Sequence, residues 1–239
     1  MGLDIRLKGI DIVRGYALIL MVIFHFSFDL NNFHYVNIDI QHSQEWRSFR
    51  YLIVTMFVFL AGVSLYLANK NEVDVKKLRK RVLTLSLASL LVSIGSYTQF
   101  PNSWIYFGIL HFFLFASIVG ILFLKVPKLS LILGLSIILG YRYSLINMHW
   151  LFTIVQRPLN LPIIYTEDLA NIIPWFGVFL LGLSFANTRL LGKIFNNVFF
   201  NSPHKFNRAF SFLGKHSLLI YLLHQPIFFG LFLLIKYFS

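Results

Sequence analysis

The run from Ile10 to Leu30, IDIVRGYALILMVIFHFSFDL, constrains this chain more than any other stretch. It is as long as a helix that crosses a bilayer, which takes about 20 residues. Yet it carries Asp11, Arg14, His25 and Asp29. An α-helix turns about 100° per residue, so the step from Arg14 to His25 overshoots three turns by only about 20°. The step from Asp11 to Asp29 closes about five turns. The four ionisable groups therefore share one stripe, and Ile, Leu, Val, Met and Phe fill the other faces. A charge facing lipid costs at least about 2.5 kcal/mol, so the stripe must face protein or a water-filled cavity. An intramembrane stripe of this kind is a functional-site candidate by default.

The rest of the chain reads as membrane protein too. Of 239 residues, 57% are hydrophobic and 13% charged. A soluble domain is about 45–50% apolar and about 25% charged. The absence of cysteine removes thiolate nucleophiles, thiolate metal sites and disulfides. The first apolar run is too long for a signal-peptide core, so it is expected to be retained. The expectation is an all-α fold: a polytopic transmembrane bundle in the cell membrane, one integral-membrane domain over residues 1–239. Seven apolar runs are predicted as spans: Ile10–Leu30, Arg50–Ala68, Val82–Gln99, Trp104–Leu124, Leu129–Tyr143, Ile172–Asn187 and Leu218–Phe238.

Lys and Arg in the loops set the orientation. Fifteen fall on the side of the N-terminus, among them Arg6, Lys8, Lys70, Lys76 to Arg81, Lys125 and Lys205. Five fall on the other side: Arg47, Arg50, Arg142, Arg157 and Lys236. The bias places the N-terminus in the cytoplasm and the C-terminus outside. The net charge of +12 is then topogenic, suited to anionic lipid head groups or a phosphorylated cytoplasmic ligand rather than nucleic acid.

Further polar residues lie inside apolar runs: His111 in span four, and His224 and Gln225, followed by Pro226, in span seven. Pro226 removes a backbone donor and is expected to kink its helix. Counting about 1.5 Å per residue puts His25 near the outer mouth and His224 near the inner surface. Histidines at different depths do not build a metal site, and no metal is expected. Each residue also has a plain structural use. Arg14 can snorkel and pair with Asp11, the histidines can pack between helices, Asp29 can sit at the interface, and His42 can be a surface residue. The joint stripe carries the functional reading, not any one residue.

At IDIVRGYALILMVIFHFSFDL the chain resembles the bacterial and archaeal membrane proteins grouped with the catalytic domain of heparan-alpha-glucosaminide N-acetyltransferase. MFVFLAGVSLYLA, FGILHFF, IIPWFGVFLLG and FLGKHSLLIYLLHQPI extend the resemblance, in the same order, over most of the chain. The first run is also similar to acyltransferase-three proteins, in which a membrane Arg and a His with ten residues between them are required. Arg14 and His25 keep that spacing. The chain departs from the animal transferase, which has about eleven spans, a large luminal domain and Asn where His25 stands. The animal enzyme's catalytic His lies in the loop before span two, where His42 is the nearest match across a small gap.

The resemblance implies transfer of an acyl group, most simply acetyl, from cytoplasmic acyl-CoA to a sugar-type amine or hydroxyl outside. Arg14, with Lys70 or Arg81, would hold CoA phosphates. His25 or His42 would be the general base, with the stripe favouring His25, and Asp29 would orient the imidazole. The partners so implied are the bilayer, acyl-CoA and a glycan-type acceptor; the sequence leaves open whether a second copy of the chain joins them as a homo-oligomer. Two other classes fit an intramembrane Asp–Arg–His set: a proton-coupled transporter, disfavoured by the lack of an internal repeat, and a non-catalytic membrane scaffold.

Overall fold

The computed structural model describes residues 7–40, 42–162 and 166–238. Arg6, counted above for orientation, lies outside them. The described residues form eleven α-helices and one 3₁₀ turn, with a single β-bridge between Phe107 and Leu169. In chain order the helices are α1 (Lys8–Asn32), α2 (Gln44–Ala68), α3 (Val75–Gln99), α4 (Ile109–Val119), α5 (Pro127–Arg142) and α6 (His149–Gln156). They continue with α7 (Ile172–Ala186), α8 (Arg189–Phe195), α9 (Val198–Asn201), α10 (Lys205–Lys215) and α11 (Ser217–Phe238).

Every apolar run read from the sequence holds a helix, but the run Trp104–Leu124 opens with five non-helical residues and α4 begins only at Ile109. Four helices, α1, α2, α3 and α11, are long and apolar enough to cross a membrane, and α7 with α8 makes a fifth if the pair is one broken span. α4, α5 and α7 have 11, 16 and 15 residues. At about 1.5 Å per residue each alone is shorter than the roughly 30 Å hydrocarbon core. α3 leaves Leu83, Leu87, Leu90, Leu91 and Ile94 exposed, an apolar stripe of the kind a membrane-crossing helix can turn to lipid. The protein is an all-helical membrane protein.

The chain forms two compact units, residues 1–57 with 189–239, and residues 58–188. In the first, α1 is central. Its N-terminal half is crossed by α10, where Gly15 lies against the backbone of Phe210 and Gly214 against that of Asp11. α10 buries Asn207, Ser211 and Gly214 and exposes Phe206 and Phe212, the arrangement of a helix whose small polar face meets protein and whose aromatic residues meet lipid. Beyond that crossing α11 runs parallel to α1, since ring contacts pair His25 with His224, Phe26 with Phe228 and Phe33 with Phe232. α11 runs as one helix through Pro226.

The second unit packs on glycines. Gly134 of α5 and Gly177 of α7 face each other, and a Cβ on either would lie 2.9 Å from the other's carbonyl oxygen. Gly62 of α2 meets the backbone of Phe179, and Gly182 of α7 meets the backbone of Phe59. The PWFGVFLLG motif thus works as core: Trp175, Phe176, Gly177, Phe179, Leu180 and Gly182 are all buried. Neither partner of Gly182 is a flexible side-chain end, so Gly182→Leu must push the helices apart. The expected cost is about 1–3 kcal/mol, read as a lower unfolding midpoint in detergent, whereas Gly95→Leu, with open space around it, should leave the midpoint in place.

Candidate active site

The stripe predicted on α1 exists, and α11 completes it. Asp29 is fully buried (0% exposed) and His224 nearly so (7%), while His25 is half-buried. The imidazoles of His25 and His224 lie 4.9 Å apart between ring centroids, at 59°. Phe24 and Phe228 close round the pair edge-on. One residue along α11, Gln225 neighbours Asp29, but the carboxylate oxygens and the Gln225 carbonyl make no hydrogen bond. No His25–Asp29 hydrogen bond forms either. Four polar side chains thus meet between two apolar helices with much of their bonding capacity unspent.

The depth estimate for His224 needs correction. Ile220 and Tyr221 pack on the Leu18, Met21 and Ile53 cluster, so α11 begins beside the middle of α1 rather than level with its start. Seven residues into α11 therefore meets seventeen residues into α1, and His224 lies beside His25.

His224 has a defined tautomer. Its Nδ1 is 2.6 Å from the Tyr221 carbonyl oxygen. A carbonyl only accepts, so Nδ1 carries the proton. Nε2 then presents a lone pair, buried and without a hydrogen-bond partner.

The other candidates lie elsewhere. Arg14 donates to Asp11 at 3.2 Å; the Arg14 side chain is 20% exposed and Asp11 only 4%. This pair sits at the crossing with α10, next to Gly214. Lys70 and Arg81 belong to the second unit. Lys70 is exposed past the end of α2, and Arg81 donates from Nε to Ser117 Oγ at 2.9 Å. His111 is a structural pin. Ser93 Oγ donates to the Ile105 carbonyl at 2.7 Å and so accepts from His111 Nε2 at 3.1 Å. The His111 Nδ1 accepts the Gly108 N–H at 3.2 Å, and Asp168 accepts the Ile109 N–H at 3.0 Å. Both ring nitrogens are spent on holding the start of α4.

His42 has a partner the sequence reading missed. Asp39 Oδ1 accepts its backbone N–H at 2.9 Å and lies 3.0 Å from its ring Nδ1. The backbone hydrogen bond, helped by the ring, holds the Asp39 carboxyl below its usual range. The pair is exposed and borders an open pocket of about 280 Å³ at the C-terminal end of α1, lined also by Phe28, Asn31, Asn32, Ile38 and Ile40. The i, i+3 spacing of Asp39 and His42 was the available signal, but in a loop that spacing fixes no contact.

A family model described as heparan-alpha-glucosaminide N-acetyltransferase, catalytic, matches residues 6–226. The chain belongs to that family. The match takes in every stripe residue of α1 as well as His224 and Gln225. Membership of this N-acetyltransferase family assigns the chain to membrane proteins of acyltransferase type, with acetyl-CoA the donor generally associated with it. No curated protein and no solved structure matches the chain. Among the described residues no group of three or more His, Asp or Glu is placed to hold a metal.

Proposed function

We propose that this protein transfers an acetyl group, or a closely similar acyl group, from cytoplasmic acyl-CoA to a sugar-type amine or hydroxyl outside the cell membrane. The observation that carries this is the polar cluster of His25, Asp29, His224 and Gln225 between α1 and α11 of an N-acetyltransferase family member. Buried polar groups without hydrogen bonds cost stability, and ionisable groups kept inside a membrane mark functional sites by default. Arg14, nearer the start of α1, holds a CoA phosphate; its planar fork suits phosphate and carboxylate alike. His25 removes the acceptor's proton as the acceptor attacks the thioester carbonyl. Asp29, without a hydrogen bond to His25, contributes its field at the site. The acceptor approaches from the outer pocket beside Asn31, Asp39 and His42.

A second reading places the base at His42. Its Nδ1 faces Asp39 Oδ1, the His–carboxylate arrangement that leaves Nε2 to take a proton.

The test is labelled acetyl-CoA with the purified protein in detergent and an amino-sugar acceptor. Release of CoA thiol that depends on acceptor is expected. A protein that neither binds acetyl-CoA nor releases thiol would overturn the reading.

The mechanism also needs donor inside and acceptor outside, in a seven-span arrangement with a cytoplasmic N-terminus. The chain has no native thiol, so single cysteines report its sidedness. Val73→Cys and Asn37→Cys are expected to react with an impermeant label from opposite sides of the membrane. Reaction of both from one side would remove the cross-membrane mechanism.

A further inference from the structure

We infer that His224 is the second proton acceptor of the site: its Nε2 takes a proton from His25 as His25 takes one from the acceptor. The inference rests on the acyl-transfer reading and adds a residue to it. Three observations carry it. The His224 and His25 rings are in contact, 4.9 Å between centroids. The Tyr221 carbonyl fixes the proton of His224 on Nδ1. Nε2 is left as an acceptor buried without a partner, on a residue 7% exposed. A buried acceptor left without a hydrogen bond is costly, and imidazole packing alone does not require it.

The step balances as follows. The acceptor's nitrogen or oxygen forms a bond to the acyl carbon, and the C–S bond breaks with its electron pair on the CoA sulfur. The acceptor's proton passes to one nitrogen of His25, while the proton on the other nitrogen passes to His224 Nε2, directly or through one water. His224 is then an imidazolium whose Nδ1–H remains bonded to the Tyr221 carbonyl. The proton returns by the same route and ends on the CoA thiolate. The net change is one acyl group and one proton exchanged between CoA and acceptor. The carbonyl does for His224 one thing a carboxylate does in a catalytic triad: it fixes the tautomer.

Asparagine separates this role from packing. His224→Asn keeps an N–H that can donate to the Tyr221 carbonyl and removes the Nε2 acceptor. Expected is a fall in transfer rate on the order of 100-fold, with acetyl-CoA affinity in detergent unchanged. In His224→Ala, added imidazole is expected to restore part of the rate. A His224→Asn protein working at the wild-type rate would overturn the inference. So would a loss matched by equal loss of acetyl-CoA binding, with no rescue by imidazole. A wild-type protein without transfer activity overturns the acyl-transfer reading itself, which keeps the two failures apart.

Discussion

His25→Gln is expected to abolish acyl transfer while acetyl-CoA still binds. Glutamine keeps a polar side chain at the α1–α11 contact but cannot take up a proton. Losing a general base costs about 10²–10⁴-fold in rate, and since the base acts on the acceptor, donor affinity should stay within about threefold. His42→Gln is expected to keep substantial activity, because the exposed His42 reaches an acceptor only at the pocket beside the C-terminal end of α1. Both variants are read by initial transfer rates and by acetyl-CoA binding on the same detergent-solubilised preparations. The reverse pattern would move the base to the Asp39–His42 pair, and Asp39→Asn would then reproduce the His42→Gln loss. Full activity in both variants would leave neither histidine as the base.

The stripe on α1 was legible because a 3.6-residue period reports which residues share a face, whatever the neighbours are. That Asp29 is fully buried and Arg14 partly so follows from the same count. The His25–His224 contact was not legible. It depends on where α11 begins along α1, and that is set by α10 crossing α1 through Gly15 and Gly214. A depth counted from the first apolar residue of a run carries no such information. The same holds for span length. Hydropathy located α4, α5 and α7, but their ends depend on contacts such as Asp168 with the first turn of α4, which join residues far apart in sequence. His111, for which the sequence left packing and function both open, holds a helix start with both ring nitrogens. Polar residues at a helix start meet unpaired backbone groups, whereas between α1 and α11 only His224 Nδ1 finds one, the Tyr221 carbonyl, and the Asp29 and Gln225 oxygens find none.

Arg14 tests the donor half of the mechanism. Arg14→Lys is expected to weaken acetyl-CoA binding about tenfold and Arg14→Ala about 100-fold, from hydrogen bonds to charged groups worth about 1.5–3 kcal/mol each. Lysine keeps the charge but not the planar fork, so a loss in Arg14→Lys separates phosphate recognition from simple attraction. Arg14 already donates to Asp11 at 3.2 Å. A guanidinium has five N–H donors, more than the Asp11 contact uses. The Asp11 contact has a cost of its own on substitution. Asp11 is 2% exposed and its backbone receives Gly214 of α10, so Arg14→Ala removes one partner of a buried carboxylate at a tight crossing. Breaking such a pair destabilises by about 3–5 kcal/mol in general, and Arg14→Ala is expected to lower the unfolding midpoint as well. The variants separate the two effects. Arg14→Lys retains a cation for Asp11, so its midpoint should stay close to wild type while its acetyl-CoA affinity falls. Unchanged affinity in both variants with less folded protein would make Arg14 a pin between α1 and α10 alone. The donor phosphates would then have to be held by other cations.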